Sequence, residues 1–220
     1  MQREMELSDL AREYSAEDIV HLDAGGCRGC SYCCENVGRS IVLDPYDCFR
    51  LCCGSGRSFA QLLSEGLLEI HITEGLMLPN LSMRGGRGCG FLEAGRCTIH
   101  SARPGFCRLF PLARIYHEGG FSYIVQSGQC RRELTGLRRI ADWIGEAEPA
   151  RYDRFLLSWH DFRKALSMRI PEMTMRAQRM LGTYLLRKFY QTAYSDRDFY
   201  SEYEERLQRA GEAVQRLYGK

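Results

Sequence analysis

The sequence predicts an α+β protein in which a small, irregular cysteine-rich domain of short strands and helices is followed by an α-helical region. Three observations predict it. All 11 cysteines and most of the 22 glycines precede residue 135. The apolar runs in that first part are short, as in Ile41-Val42-Leu43 and the alternating Phe121, Tyr123 and Val125. The remainder is rich in Arg, Leu, Met, Tyr and Phe, with apolar residues at helical spacing. The boundaries read from this change are 1–135 for the cysteine domain and 136–220 for a helical packing or partner-binding region.

A short helix is expected from Glu4 to Glu13, then a glycine- and cysteine-rich segment from Gly25 to Cys34. Ile41 to Leu43 reads as a strand. Asp44 and Pro45 fit an N-cap and a first helical position. That helix should run to about Cys53 and stop at Gly54-Ser55-Gly56. A second helix is expected from Ser58, carrying Phe59, Leu62, Leu63, Leu67 and Ile70 near one face, with Gly66 its weak point. Pro79 to Gly90 reads as loop. Cys89 to Cys97 reads as a turn between two short extended pieces, and Phe121 to Val125 as a strand leading toward Cys130. Four helices should follow, at Glu133 to Gly145, Arg151 to Leu166, Pro171 to Ala193 and Asp198 to Leu217. In the last, Tyr200, Tyr203, Leu207, Ala210, Val214 and Leu217 make one apolar face. The aromatic and methionine residues of this region are expected to pack a core. Glu146 and its neighbouring carboxylates are expected to face water.

Charge excludes several functions. Thirty Lys and Arg against 28 Asp and Glu leave a formal charge of +2, which gives no reason to expect a nucleic-acid binder. Residues 1–10 lack the apolar run of a secretory signal, and no stretch approaches eighteen consecutive apolar residues. The expected location is cytoplasmic. There, thiols stay reduced, so ligation or redox chemistry is expected in place of a disulfide framework. The sequence holds no HExxH unit, P-loop, dinucleotide fingerprint or G-x-S-x-G elbow.

The cysteines carry the chemistry. Cys27-Arg-Gly-Cys30-Ser-Tyr-Cys33-Cys34 overlaps two CxxC steps and ends in a doublet. A CxxC turn aims two sulfurs at one metal, and the glycines beside it let backbone amides approach them. Adjacent Cys33 and Cys34 should point apart, so both reaching one mononuclear site would need an unusual local backbone. A second group supplies Cys89, Cys97 and Cys107, with Cys130 beyond. Arg103 and Arg108 lie beside it and can lower thiol pKa, offset cluster charge or bind an anion, or simply make surface or structural ion pairs. His100 is a candidate ligand or proton carrier, or a structural histidine.

These motifs resemble the YkgJ-type CxxCxxCC family of zinc- or iron-chelating domains. The resemblance runs from about Cys27 to Cys130. It rests on the overlapping cysteine steps, Cys-x-Phe-Leu at Cys89 to Leu92, Cys97-x-Ile, Arg103-Pro104, and Cys107-Arg-x-Phe-Pro ending at Pro111. It implies eight core cysteines: Cys27, Cys30, Cys33, Cys34, Cys89, Cys97, Cys107 and Cys130. Cys48, Cys52 and Cys53 fall outside the pattern and read as helix-packing thiols. The cysteine-rich part of flagellin lysine methylases is also similar, which implies an iron–sulfur cluster used with S-adenosylmethionine.

Thiolates suit both zinc and iron–sulfur clusters. A [4Fe–4S] cluster is favoured here, held by Cys27, Cys30, one of Cys33 or Cys34, and Cys107, in a redox or site-organising role with a protein or redox partner. Two other readings remain. One is an S-adenosylmethionine-dependent methyltransferase-like enzyme, with His100, Arg103 and Arg108 as cofactor-binding residues. The other is a zinc-stapled protein-interaction scaffold. No catalytic residue can be named from the sequence.

Overall fold

The computed structural model describes residues 12–25, 30–36, 41–86, 88–126, 128–195 and 198–218. Cys27 and most of the helix expected over Glu4 to Glu13 lie outside the described residues. Of that helix, Arg12 and Glu13 are described and are not helical.

The architecture is α+β, with several short antiparallel strand pairs and a helical C-terminal region. Strand β1 (Ile19–Asp23) buries Val20 and Leu22 and exposes Ile19 and His21, the alternation of a strand with one face inward. Helix α1 (Tyr32–Asn36) follows. Residues 41–43 run extended beside a later strand, as expected. Helix α2 (Pro45–Ser55) starts as the sequence predicts: Asp44 accepts from the Asp47 N–H at 2.7 Å, and the Asp44 N–H donates to the Asp47 carboxylate at 3.3 Å.

Helix α3 (Phe59–Ser64) starts at the Ser58 cap but is shorter than expected. Gly66 adopts a φ of 68°, so the chain turns there, and Ile70 joins strand β2 (Leu68–Thr73) in place of a helix face. β2 pairs with β3 (Leu76–Leu81), so the first residues of the expected Pro79 to Gly90 loop are strand. Pro79 is tolerated because only one bond is lost. The Leu43 N–H donates to Pro79 O at 2.8 Å, but Pro79 has no N–H to return, and Leu43 O takes the Tyr190 hydroxyl at 3.2 Å instead.

Strands β4 (Leu92–Glu93) and β5 (Arg96–Cys97) form the expected pair around the turn at Ala94 and Gly95. Helix α4 (Gly105–Leu109) precedes a hairpin of β6 (Leu112–His117) and β7 (Gly120–Val125); the sequence had suggested only the second strand. The helix expected over Glu133 to Gly145 is half strand. β8 (Gly136–Arg139) pairs with β1, and only α5 (Ile140–Ile144) is helical. Pairing with the half-buried β1 overrides local helical spacing.

Helix α6 (Pro149–Arg169) is a long single element. The expected helix from Pro171 to Ala193 is divided: a 3₁₀ turn (Ile170–Glu172) ends at an extended Met173, then α7 (Met175–Leu186) begins at a Thr174 cap and continues into a π-helical turn (Arg187–Gln191). Helix α8 (Phe199–Tyr218) closes the chain, with Tyr200, Tyr203, Ala210 and Val214 buried.

Packing crosses residue 135. β1 pairs with β8, and one hydrophobic cluster extends from Val20 to Val214. At its centre Tyr46 of α2 meets Tyr152 and Phe155 of α6 and Phe199 and Tyr200 of α8, at ring-centroid separations of 4.9 to 5.9 Å. These contacts fix α2 against the helical region. The Asp47 carboxylate of α2 then accepts the Gly105 N–H at 2.6 Å and sets the start of α4.

Candidate metal centre

Four short segments carry cysteines to one place. Cys30 precedes α1, and Cys33 and Cys34 lie on it. Cys89 precedes β4, Cys97 ends β5, and Cys107 lies on α4. The Cys89 N–H donates to Cys34 O at 2.8 Å, a backbone bond between the first and second cysteine groups. Gly88 permits it: its φ is +105°, and a Cβ there would lie 3.3 Å from Cys34 O. The Thr98 N–H donates to Phe91 O at 2.9 Å, closing the β4 and β5 loop that presents Cys97.

These six cysteines line a single cavity of about 450 Å³. Cys33 and Cys34 both line it and hydrogen-bond to each other, so the expected divergence of the doublet does not keep either thiol out. Cys130 is half-buried and does not line the cavity. Cys48 lies in the core, Cys52 is half-buried and Cys53 exposed, all on α2 and away from the cavity wall.

His100, Arg103 and Arg108 line the cavity too. Arg103 is half-buried and its Nε donates to His100 O at 3.1 Å. Arg108 is buried, and its Nη1 donates to Glu146 Oε2 at 2.6 Å, with side-chain exposures of 6% and 5%. Glu146 therefore does not face water. Its second oxygen accepts from the Tyr46 hydroxyl at 2.9 Å. The sequence reading also missed Arg96, Phe106 and Trp143 as cavity residues. Trp143 reaches it from α5, with its indole N–H on Phe110 O at 3.2 Å. No local signal marks it, because its place depends on the β1 and β8 pairing.

The thiols sit in a mixed field. The hydrogen bond from Cys34 brings Cys33 down to about 6, and Arg103 adds to this. The same bond, with burial and neighbouring sulfurs, pushes Cys34 up. Burial also raises Cys89, Cys97 and Cys107, and Arg103 opposes the rise at Cys97 and Cys107. Burial holds His100 below the ordinary imidazole value, and Arg103 adds to this.

Soft thiolates are the right donors for zinc or for an iron–sulfur cluster. Among the described residues, no three cysteine, histidine or carboxylate side chains are gathered closely enough to grip one ion as they stand. Six cysteines line the cavity, and the Cys33 and Cys34 thiols hydrogen-bond to each other. A metal bound there would replace the protons that burial keeps on these thiols.

Residues 26–131 match the sequence profile of the CxxCxxCC family, described by zinc or iron chelation. No curated protein and no solved structure matches the chain. The matched segment contains all six cavity-lining cysteines as well as Cys27 and Cys130, and over these residues the chain is similar to the CxxCxxCC family of zinc- or iron-chelating domains.

Proposed function

We propose that this metal-binding protein carries a [4Fe–4S] cluster in the cysteine-lined cavity, in a redox or site-organising role. The observation that carries the reading is the convergence of six cysteines, from segments far apart in sequence, on one cavity of about 450 Å³. A single zinc ion, with bonds of about 2.3 Å, draws its sulfurs to within about 4 Å of one another. A cluster places its thiolates at separate corners of a larger body. A cavity of about 450 Å³ has room for that larger body. Cys30, Cys107 and one of Cys33 or Cys34 remain the preferred ligands, with Cys27 as the fourth. Cys89 and Cys97 are the alternates on the same wall.

Metal and acid-labile sulfide analysis of protein purified without oxygen tests this, together with an absorption spectrum before and after dithionite. About four irons and four sulfides per chain, with a broad visible band that bleaches, is the expected result. Stoichiometric zinc without sulfide would overturn the cluster and leave a zinc-stapled scaffold.

A further inference from the structure

The cavity wall contains more than thiols. Four of its residues are bases, Arg96, His100, Arg103 and Arg108, and none is an aspartate or glutamate. Their positions are graded: Arg96 and His100 are exposed, Arg103 is half-buried and Arg108 is buried. Arg108 gives Nη1 to Glu146, but its Nε and Nη2 are buried without a hydrogen-bond partner. Those two donors are closed to solvent and the guanidinium carbon lies 5.2 Å from the Tyr152 ring centroid, so Arg108 contributes fixed positive charge behind the wall, and Arg103 and Arg96 are the cations nearer its open side. Arg96 makes no ion pair among the described residues.

The rest of the wall is apolar. Ile41, Leu81, Leu92, Phe106 and Trp143 contribute to it, and Phe106 is exposed despite its size. A volume of about 450 Å³ falls in the range of small-molecule sites and exceeds what an ion needs. Guanidinium groups grip a planar carboxylate by paired bonds, and an apolar wall favours a carbon body over an inorganic ion.

We propose that the cavity seats a small organic carboxylate beside the metal, its anionic end on Arg103 with Arg96 at the mouth, and its body against the Phe106 and Trp143 side. This rests on reading the thiols as the metal centre. It makes that centre open to a ligand, unlike a closed structural staple.

The test titrates the metal-loaded 220-residue chain with hexanoate, its neutral counterpart hexanamide, and inorganic phosphate, reading tryptophan emission, to which Trp143 and Trp159 both contribute, and measuring metal content on the same sample. Hexanoate should give a saturable change, with hexanamide and phosphate at least tenfold weaker. The Arg96→Gln/Arg103→Gln double variant should bind hexanoate at least tenfold more weakly while keeping its metal. If that variant does not fold, Arg96→Gln alone replaces it, because Arg96 is exposed and makes no ion pair among the described residues, and at least a threefold weakening is expected. Equal binding of hexanamide, binding of phosphate as tight as hexanoate, or unchanged hexanoate binding in the variants would overturn the proposal. So would loss of metal in a folded variant, which would assign the arginines to the thiolates. Wild-type protein that takes up neither iron nor zinc yet discriminates hexanoate from hexanamide would sink the metal reading alone.

Discussion

The Tyr190 hydroxyl donates to the Leu43 carbonyl oxygen at 3.2 Å, in the place where a strand partner other than proline would have supplied an N–H. A tyrosine from the π-helical turn thus completes a strand pairing made by residues far earlier in the chain.

Tyr190→Phe leaves that buried carbonyl without a donor. The expected cost is about 1–2 kcal/mol, read as a lower urea midpoint at unchanged slope. An unchanged midpoint would mean that water or another group serves Leu43.

The Arg108 and Glu146 pair is nearly inaccessible to solvent at 2.6 Å. Glu146→Ala strands a buried guanidinium and should cost about 3–5 kcal/mol. Replacing both residues, as Arg108→Met/Glu146→Leu, should recover most of the loss in the same denaturation experiment. A double variant as unstable as the single one would show that the charge is not the cause.

Gly88→Ala places a Cβ 3.3 Å from Cys34 O at a φ of +105°. The strain is expected to be about 1–3 kcal/mol. It falls on the Cys34 and Cys89 junction, so metal should be lost faster to a chelator than from wild type. Equal release rates would show that the junction does not hold the site.

Burial raises Asp47, and burial with the nearby Asp47 charge raises Asp44. An acid whose folded pKa lies above its unfolded value binds more protons when folded. Its contribution to stability is therefore greatest at low pH and declines as pH rises through the folded value. Asp47→Asn keeps an acceptor for the Gly105 N–H but cannot ionise. Urea unfolding from pH 4 to 8 should show a shallower decline in the variant than in wild type. Parallel profiles would rule Asp47 out as the source.

Cys130→Ser should retain metal, since Cys130 does not line the cavity, whereas Cys107→Ser should lose it. Metal analysis of the two variants decides between the six-thiol wall and the wider set implied by family resemblance.

Much of this was legible in the residues. The Asp44-Pro45 start, the turn before Cys97 and the two clusters of cysteine depend on local chemistry, and each stands where its sequence places it. Other features depend on distant partners. Glu146 looks like a solvated carboxylate until Arg108 and Tyr46 enclose it. Residues 136–139 have helical neighbours, yet β1 draws them into a strand. Pro79 reads as loop until Tyr190 supplies the missing donor. The Trp143 side of the cavity was hidden for the same reason.

The Cys89 N–H to Cys34 O bond gives the centre a further property. Its two halves are tied by a main-chain hydrogen bond as well as by any metal they share, so the Cys34 and Cys89 junction has a contact of its own. Stripping the metal should leave a receptive apoprotein that refills within the native state, without passing through the unfolded chain.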